Sequence, residues 1–137
     1  MSIKKDIINR FNDHYYQFSF FILEDELQAM QLIVDVATGL GLKDRNIFLK
    51  LGQRDLDLDI YKAIVELGLK RSGIVFSDDR HLSLKDKAAL FLSDNAGLSA
   101  EEISYITGIE KTDIYQIIPI TRIEILERLK RKSETYA

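Results

Sequence analysis

The stretch that decides the fold class of this chain is residues 99–122, SAEEISYITGIEKTDIYQIIPITR. It opens with Ser99 and, three residues later, Glu102, the spacing of a capping box. In that motif the serine oxygen accepts from the glutamate amide and the carboxylate accepts from the serine amide. The helix that follows is short and ends at Gly108, which can adopt the left-handed backbone of a tight turn between helices. A short helix, a glycine turn and a longer helix form the pattern of a helix-turn-helix.

Outside this stretch, apolar side chains recur at intervals of three and four residues, and the 137 residues include one proline. This spacing is typical of amphipathic helices, so the sequence predicts an all-α protein with six or more helices and no sheet. The predicted helices run from Ser2 to Ile22, from Glu24 to the glycines 39 and 41, from Leu56 to Gly68, from Ser83 to Ser93, from Ser99 to Thr107, and from Lys111 toward Lys132.

The central segment, residues 72–82, lacks this periodicity. It holds a glycine, two serines and the pair Asp78–Asp79, a composition typical of a linker. The sequence therefore predicts two small helical domains, residues 1–71 and 83–137, joined by residues 72–82.

The composition excludes several classes of protein. The 19 Lys and Arg against 22 Asp and Glu leave a net charge of −3, which disfavours broad binding to phosphate backbones. The absence of cysteine excludes disulfides, thiol nucleophiles and Cys-ligated zinc, and is compatible with a reducing compartment. The apolar runs are too short to span a bilayer. We therefore expect a cytoplasmic protein that does not enter a membrane.

Patterns that carry catalysis or bind metal are also missing. The two histidines, His14 and His81, are isolated, and the alternating Asp55, Asp57 and Asp59 lack the glycine and the final glutamate of a calcium loop. We interpret these aspartates as a solvated acidic face. The sequence predicts no enzyme, no cofactor and no metal site.

The C-terminal third resembles the fourth conserved region of bacterial RNA polymerase sigma factors, most closely the small extracytoplasmic-function type. The run that resembles it spans residues 87–130. Residues 15–40 are more weakly similar to the second region of that family, with an acidic break at 24–26 between two helices. The residues that carry the resemblance are Ala88-Ala89-Leu90, Gly97-Leu98-Ser99, Glu101-Glu102-Ile103 and Gly108-Ile109, and more weakly Ala29, Leu32 and Ile33.

This resemblance implies a protein of transcription initiation or its regulation, with RNA polymerase core and promoter DNA as partners. The positions that match the polymerase-binding helix are Gln31 and Val34. The polar residues on or beside the element that matches the recognition helix, and hence the candidate DNA contacts, are Lys111, Thr112, Tyr115, Gln116 and Arg122.

The same element departs from the family pattern. Where the family carries Lys, Ser, Arg, His and Arg, this chain has Tyr115, Gln116, Ile117, Pro119 and Ile120. A proline inside a helix costs about 3 kcal/mol, so we expect either a kink at Pro119 or a new helix that starts there.

The cluster with which the family melts DNA is also altered. Its matching positions alternate with the acids Asp55, Asp57, Asp59 and Glu66; they are Arg45, Phe48, Lys50, Arg54, Tyr61, Lys62 and Lys70. A stacking groove for single strands needs cations that are not cancelled.

A second interpretation follows from these departures. The fold is then retained as a protein-interaction module that has lost promoter binding. Tyr115 with the predicted interface residues Ile117, Ile118 and Ile120 forms an apolar run longer than one buried helical stripe can use. In this interpretation Ile117 or Ile120 lies in a protein contact, most simply a homodimer.

Overall fold

The computed structural model describes residues 2–44, 46–72 and 82–136, and within these ranges the chain is helical, without a strand. A short 3-10 helix, Ile47–Lys50, follows the second helix. The predicted all-α class is confirmed. The six α-helices of these ranges are α1 (Ser2–Leu23), α2 (Glu26–Lys43), α3 (Arg54–Ser72), α4 (Leu84–Asp94), α5 (Ala100–Thr107) and α6 (Lys111–Tyr136).

The chain divides into two compact units, Met1–Ile74 and Val75–Ala137. Most of the predicted linker, residues 73–81, lies outside the described residues, so the domain boundaries at 71 and 83 stay predictions. At its two ends, Ser72 is the last residue of α3 and Leu82 is buried. None of the described helices is long and apolar enough to cross a bilayer.

The first unit is a three-helix cluster in which α1 packs along α2 and α3 contacts both. Its core follows the three-and-four spacing of the sequence, as expected for amphipathic helices that bury one face. The apolar side chains with at most 1% exposure are Phe11 and Phe18 of α1, Ala29, Leu32 and Ile33 of α2, and Ile60, Ile64 and Val65 of α3.

The break between α1 and α2 is two residues long. Glu24 adopts a left-handed φ of 57°, and Asp25 then caps α2 by accepting a 2.9 Å hydrogen bond from the amide of Gln28. The helix predicted to begin near Glu24 thus begins at Glu26. A left-handed φ is costly for a residue other than glycine, and the cap stabilises the helix that follows it.

Two predicted helix ends are wrong. Helix α2 continues through the glycines 39 and 41 to Lys43, and α3 continues through the buried Gly68 to Ser72. A glycine inside a helix costs about 1 kcal/mol, which the packing of a buried face readily exceeds. These glycines therefore weaken the helices without ending them.

The second unit packs α4, α5 and α6 against one another. Ser83 caps α4 by accepting a 3.1 Å hydrogen bond from the amide of Asp86. The core is formed by Ala88, Ala89 and Leu92 of α4, Ile103 and Ile106 of α5, and Ile114 of α6, each at most 2% exposed.

The predicted capping box of α5 is confirmed. The amide of Glu102 donates to Ser99 Oγ at 3.2 Å, and the amide of Ser99 donates to Glu102 Oε1 at 3.0 Å. The helix ends at Gly108, whose φ of 77° is left-handed, as predicted. The Gly108 amide donates to the Ser104 carbonyl at 2.8 Å. Both ends of α5 are therefore defined by local hydrogen bonds.

Side chains reinforce the turn between α5 and α6. Ser104 Oγ donates to the Ile109 carbonyl at 2.6 Å. Thr107 Oγ1 donates to the Ile103 carbonyl at 2.8 Å and accepts from the Ile109 amide at 3.2 Å. These bonds hold the half-buried Ile109 in place and set the direction in which α6 leaves the turn.

Helix α6 is one continuous element with Pro119 inside it, so the prediction of a new helix at Pro119 is wrong. Ile114, five residues before Pro119, is 1% exposed. Thr121, two residues after it, is 2% exposed. Because both halves of α6 are anchored in the same core, the helix continues despite the lost backbone hydrogen bond. A kink at Pro119 stays a prediction.

Replacing Ser99 by alanine should destabilise the second unit by about 1 kcal/mol, because the amide of Glu102 loses its acceptor. Urea unfolding, followed by amide signals of α5, measures the change. Ser133→Ala, on the exposed side of α6, is the control and should change the unfolding free energy by less than about 0.5 kcal/mol. An unchanged midpoint for Ser99→Ala would show that the cap contributes nothing.

Replacing Gly39 or Gly108 by alanine should change the free energy of unfolding in opposite directions. Gly39 lies inside α2 with nothing within 4 Å of an added Cβ, so Gly39→Ala should stabilise by about 0.5–1 kcal/mol. Gly108 has a left-handed φ, so Gly108→Ala should destabilise by about 1–2 kcal/mol. Denaturant midpoints of the two variants test this, and a shift of both in the same direction would contradict it.

Candidate interaction surface on the last helix

Helix α6 has an inner face that packs against α4 and α5. Ile114 and Thr121 are its most buried residues. Of the predicted interface residues, Ile117 and Ile118 flank this stripe and are half-buried within the unit. Ile120 lies away from it and is 59% exposed. Ile117 and Ile118 therefore serve the fold of the second unit in large part, whereas Ile120 is available to a partner.

The opposite side of α6, here called the outer face, is unusually apolar. At about 100° per residue its members spread over the solvent-facing half of the helix, with Ile123 opposite Ile114 and with Ile120 and Leu129 at opposite edges. Each large side chain has more than half of its surface exposed: Tyr115 64%, Ile120 59%, Ile123 56%, Leu126 59% and Leu129 57%. The exposed Pro119 lies among them. Helix α6 thus carries apolar residues on both sides, and its own unit covers one of them.

The five candidate DNA contacts, Lys111, Thr112, Tyr115, Gln116 and Arg122, are all exposed on the first half of α6. The structure pairs both cations with acids of neighbouring helices. The ammonium of Lys111 is hydrogen-bonded to Glu101 of α5. The guanidinium of Arg122 donates to both carboxylate oxygens of Asp94, at 2.7 Å from Nη2 and 3.2 Å from Nε.

The pKa shifts agree with this geometry. The hydrogen bond to Lys111 lowers the pKa of the Glu101 carboxyl and raises the pKa of Lys111. The hydrogen bond to Asp94 likewise raises the pKa of Arg122. Each cation is thus part of a charge-neutral pair that ties α6 to α4 or α5. A phosphate would have to compete with these carboxylates for both cations.

In the first unit, Gln31 and Val34, the positions predicted to match the polymerase-binding helix, are exposed on α2. Val34 also lines a groove of about 530 Å³ between α1 and α2. Its floor is apolar, with Met30 and Ile33, and its rim is polar, with Asn9, Asn12, Asp13 and Gln17. Tyr16 lines the same groove and stacks on Phe20 with ring centroids 6.1 Å apart.

The predicted match to the DNA-melting cluster contains a core residue. Tyr61 is 4% exposed and packs edge-on against Tyr15 and Phe18, with centroid distances of 5.2 Å and 5.0 Å. It cannot stack on a base. Lys50 is paired with Asp44 at 3.1 Å, and Arg45 lies outside the described residues. The one aromatic side chain of this cluster that the structure describes therefore belongs to the core.

One polar contact was missed from the sequence. Tyr15 OH donates to Asp57 and joins α1 to α3, and His14 Nε2 lies 3.5 Å from the same carboxylate. Asp57 is therefore an acceptor within the unit. The prediction that it belongs to a solvated acidic face is wrong. Burial and this acceptor raise the pKa of Tyr15, and burial raises the pKa of Tyr61 to about 12. Among the described residues, no group of three His, Cys, Asp or Glu could hold a metal ion.

Comparisons with protein-family models, curated proteins and solved structures find no match for this chain. The outer face of α6 is therefore the candidate functional surface on the strength of its own geometry.

The buried tyrosines predict a loss of stability at alkaline pH. Tyr61 keeps its proton in the folded state up to about pH 12, whereas an unfolded tyrosine ionises near pH 10. A raised pKa of this kind stabilises below the unfolded value and is lost as the pH rises toward the folded one. The unfolding free energy should therefore fall between about pH 10 and pH 12.

Tyr61→Phe removes this contribution, so its stability should fall less steeply than that of the wild type over the same range. Any packing lost in the variant would lower its unfolding free energy equally at both pH values. Comparing urea unfolding of the two proteins at about pH 8 and about pH 11.5 therefore isolates the effect of ionisation. Parallel curves for wild type and variant would contradict the assignment.

Proposed function

We propose that this chain is a sigma-factor-like helical protein of two small domains whose C-terminal helix-turn-helix acts as a protein-interaction module. The outer face of α6 is the contact surface. The observation that carries this proposal is the exposure of five large apolar side chains on the solvent-facing half of the helix that would otherwise face DNA. Exposed apolar patches of this kind on globular proteins mark sites of interaction.

The arrangement of α5, Gly108 and α6 supports the likeness to the fourth sigma region. A capped two-turn helix, a left-handed glycine and a long second helix occur at the spacing noted in the sequence. The likeness makes transcription the setting of this module. Within it, the groove between α1 and α2, beside Gln31 and Val34, is the proposed contact with RNA polymerase core.

The chemistry of α6 favours protein over DNA as its partner. Burying a Leu or Ile side chain yields about 1.5–3 kcal/mol, and the outer face offers four of them beside Tyr115. A duplex, by contrast, presents a charged backbone, which would lose its hydration against such side chains without gaining a compensating contact. The two cations among the candidate DNA contacts, Lys111 and Arg122, are already paired.

Promoter binding is the second candidate function. Thr112 and Gln116 are exposed on the first turns of α6, directly after the left-handed turn. Hydroxyl and amide side chains at these positions could contact phosphates or base edges. In this case Lys111 and Arg122 exchange their carboxylate partners for phosphates.

A salt titration separates the two functions. We expect wild type to show no salt-dependent binding to a fluorescent random duplex between roughly 50 and 200 mM salt. Over this range a protein that contacts several phosphates loses much of its affinity. The variant with Lys111→Ala and Arg122→Ala should behave identically. Steep salt dependence that flattens by about two phosphates in the variant would establish promoter binding instead.

A photo-crosslinking amino acid tests the protein contact directly. Placed at Ile123 in the chain expressed in cells, it should yield protein adducts and no DNA adducts. The matched control is Leu42, an 84% exposed apolar residue at the end of α2, where no such adduct is expected. Adducts with DNA alone at position 123 would overturn the proposed function.

A further inference from the structure

We propose that the groove between α1 and α2 binds a small linear alkylamine, with the ammonium at Asp13 and the hydrocarbon chain along Tyr16, Val34 and Met30. The inference goes beyond the proposed function, which gives this groove a protein contact only. Three observations carry it: the charge of the lining, its supply of hydrogen-bond acceptors, and the separation of polar and apolar residues along the groove.

The lining of the groove carries negative charge. Asp13 is its carboxylate, and among the lining residues that the structure describes there is no Lys, Arg or His. Arg10, one turn before Asp13, is exposed and does not line the groove. A lone carboxylate attracts a cationic ligand and repels anions. The groove therefore favours an amine over a fatty acid or a nucleotide.

Amide side chains stand around this carboxylate. Asn9 and Asn12 lie within about one turn of Asp13 on α1, and Gln17 lies about one turn beyond it. Within the described ranges of the chain, none of these four side chains has a hydrogen-bond or ion-pair partner. An ammonium has three donors and no acceptor. Because each amide offers a carbonyl oxygen beside the carboxylate, the groove supplies more acceptors than an ammonium needs.

Tyr16 adds an aromatic ring to the same position. It follows Asp13 by three residues, so the two side chains are neighbours across one turn of α1. Its half-buried ring lines the groove and stacks on Phe20, with an angle of 20° between the ring planes. Aromatic faces attract ammonium groups. A ligand ammonium beside Asp13 thus gains from the carboxylate and from the ring.

The polar and apolar residues lie toward different ends of the groove. A two-residue break joins α1 to α2, so the helices are antiparallel and the last turns of α1 lie beside the first turns of α2. Met30 and Val34 are therefore beside the second half of α1, whereas Asn9, Asn12 and Asp13 lie toward the first half. A ligand with a charged head and an apolar chain fits this arrangement. A diamine, which is charged at both ends, does not.

The apolar part has room for a hydrocarbon chain. Met30 and Val34 are 55% and 49% exposed, and Ile33 closes the floor at 1% exposure. From Asp13 to Phe20 helix α1 extends roughly 10 Å at 1.5 Å per residue. The groove volume of about 530 Å³ lies within the range of about 300–1,000 Å³ of small-molecule sites.

Titration of the full chain with n-hexylamine, n-hexanol and hexanoate at about pH 7, where the amine is protonated, is the first test. The three probes share one hydrocarbon chain and differ in the charge of the head. Amide NMR signals of α1 and α2 should shift saturably with hexylamine, with a dissociation constant on the order of 1–10 mM. Hexanol should bind about three- to fivefold more weakly, and hexanoate should not saturate the site. Equal affinity for hexylamine and hexanol, or preferred binding of hexanoate, would overturn the proposal.

The variant Asp13→Asn tests the head site. Its affinity for hexylamine should fall about three- to fivefold while its affinity for hexanol stays unchanged, so the preference for the amine disappears. The matched control is Glu66→Gln, which removes the same charge from an exposed position of α3 outside the lining and should keep the preference. Circular dichroism checks that both variants remain folded. A preference that Asp13→Asn retains, or that both variants lose, contradicts the assignment of Asp13.

Chain length tests where the hydrocarbon lies. From butylamine to octylamine the affinity should rise by up to about fourfold per added carbon, because each CH₂ is buried against the apolar wall. Met30→Gln should reduce this gain for the longer amines and leave the affinity for butylamine unchanged. Hexamethylenediamine should bind no better than butylamine. A gain that Met30→Gln leaves intact would overturn the placement of the chain.

The outcomes also separate this inference from the proposed function. A bound amine covers Val34, so an amine and a protein partner cannot occupy the groove together. If hexylamine shows no saturable binding while an acetylated Ala-Leu-Lys-Leu-Ala peptide does, the small amine is overturned and a protein lysine is the occupant. The proposed function survives that result, because the crosslinker at Ile123 tests it on the other unit. Salt-dependent DNA binding through Lys111 and Arg122 overturns the proposed function and leaves the amine site intact.

Discussion

The turn at Gly108 is the constraint on which the second unit depends. Its left-handed backbone ends α5, and the side chains of Ser104 and Thr107 hold Ile109, the residue that follows. These local bonds set the direction in which α6 leaves the turn. The rotation of α6 about its axis then follows from Ile114 and Thr121, which enter the core. Once that rotation is set, the side that carries Tyr115 and Leu126 faces solvent.

Two ion pairs reinforce the same geometry from outside the core. Lys111 reaches Glu101 on α5, and Arg122 reaches Asp94 on α4. Because these pairs are exposed, each contributes little to the stability of the fold. Their consequence for function is larger, since they neutralise the cations that a DNA-binding helix would offer. The outer face is therefore apolar at its centre, and the two ion pairs along its edge nearest to α4 and α5 carry no net charge.

Sequence reasoning succeeded where the determining interaction is local. The capping box at Ser99 and the left-handed Gly108 involve residues within a few positions of each other, so their spacing alone predicts them. It failed where burial outweighs local preference, as at Gly68, which lies inside α3 because the packed face of that helix offsets the glycine. It also failed where partners are distant in sequence. The pairs Tyr15–Asp57 and Arg122–Asp94 are 42 and 28 residues apart, and no periodic pattern indicates them.

The same distinction explains what could be predicted of the candidate surface. A run of four apolar residues within six positions indicates more hydrophobic area than one stripe can bury, but not which residues remain outside. The packing of α6 supplies that information: Ile117 and Ile118 turn toward the core, and Ile120 joins Ile123, Leu126 and Leu129 outside. The exposed surface is therefore longer than the sequence suggested and extends toward the basic end of the helix. Because Pro119 adds a ring without a backbone donor to the middle of this surface, its centre is apolar, while the exposed Gln116, Arg122 and Lys130 supply polar groups around that centre.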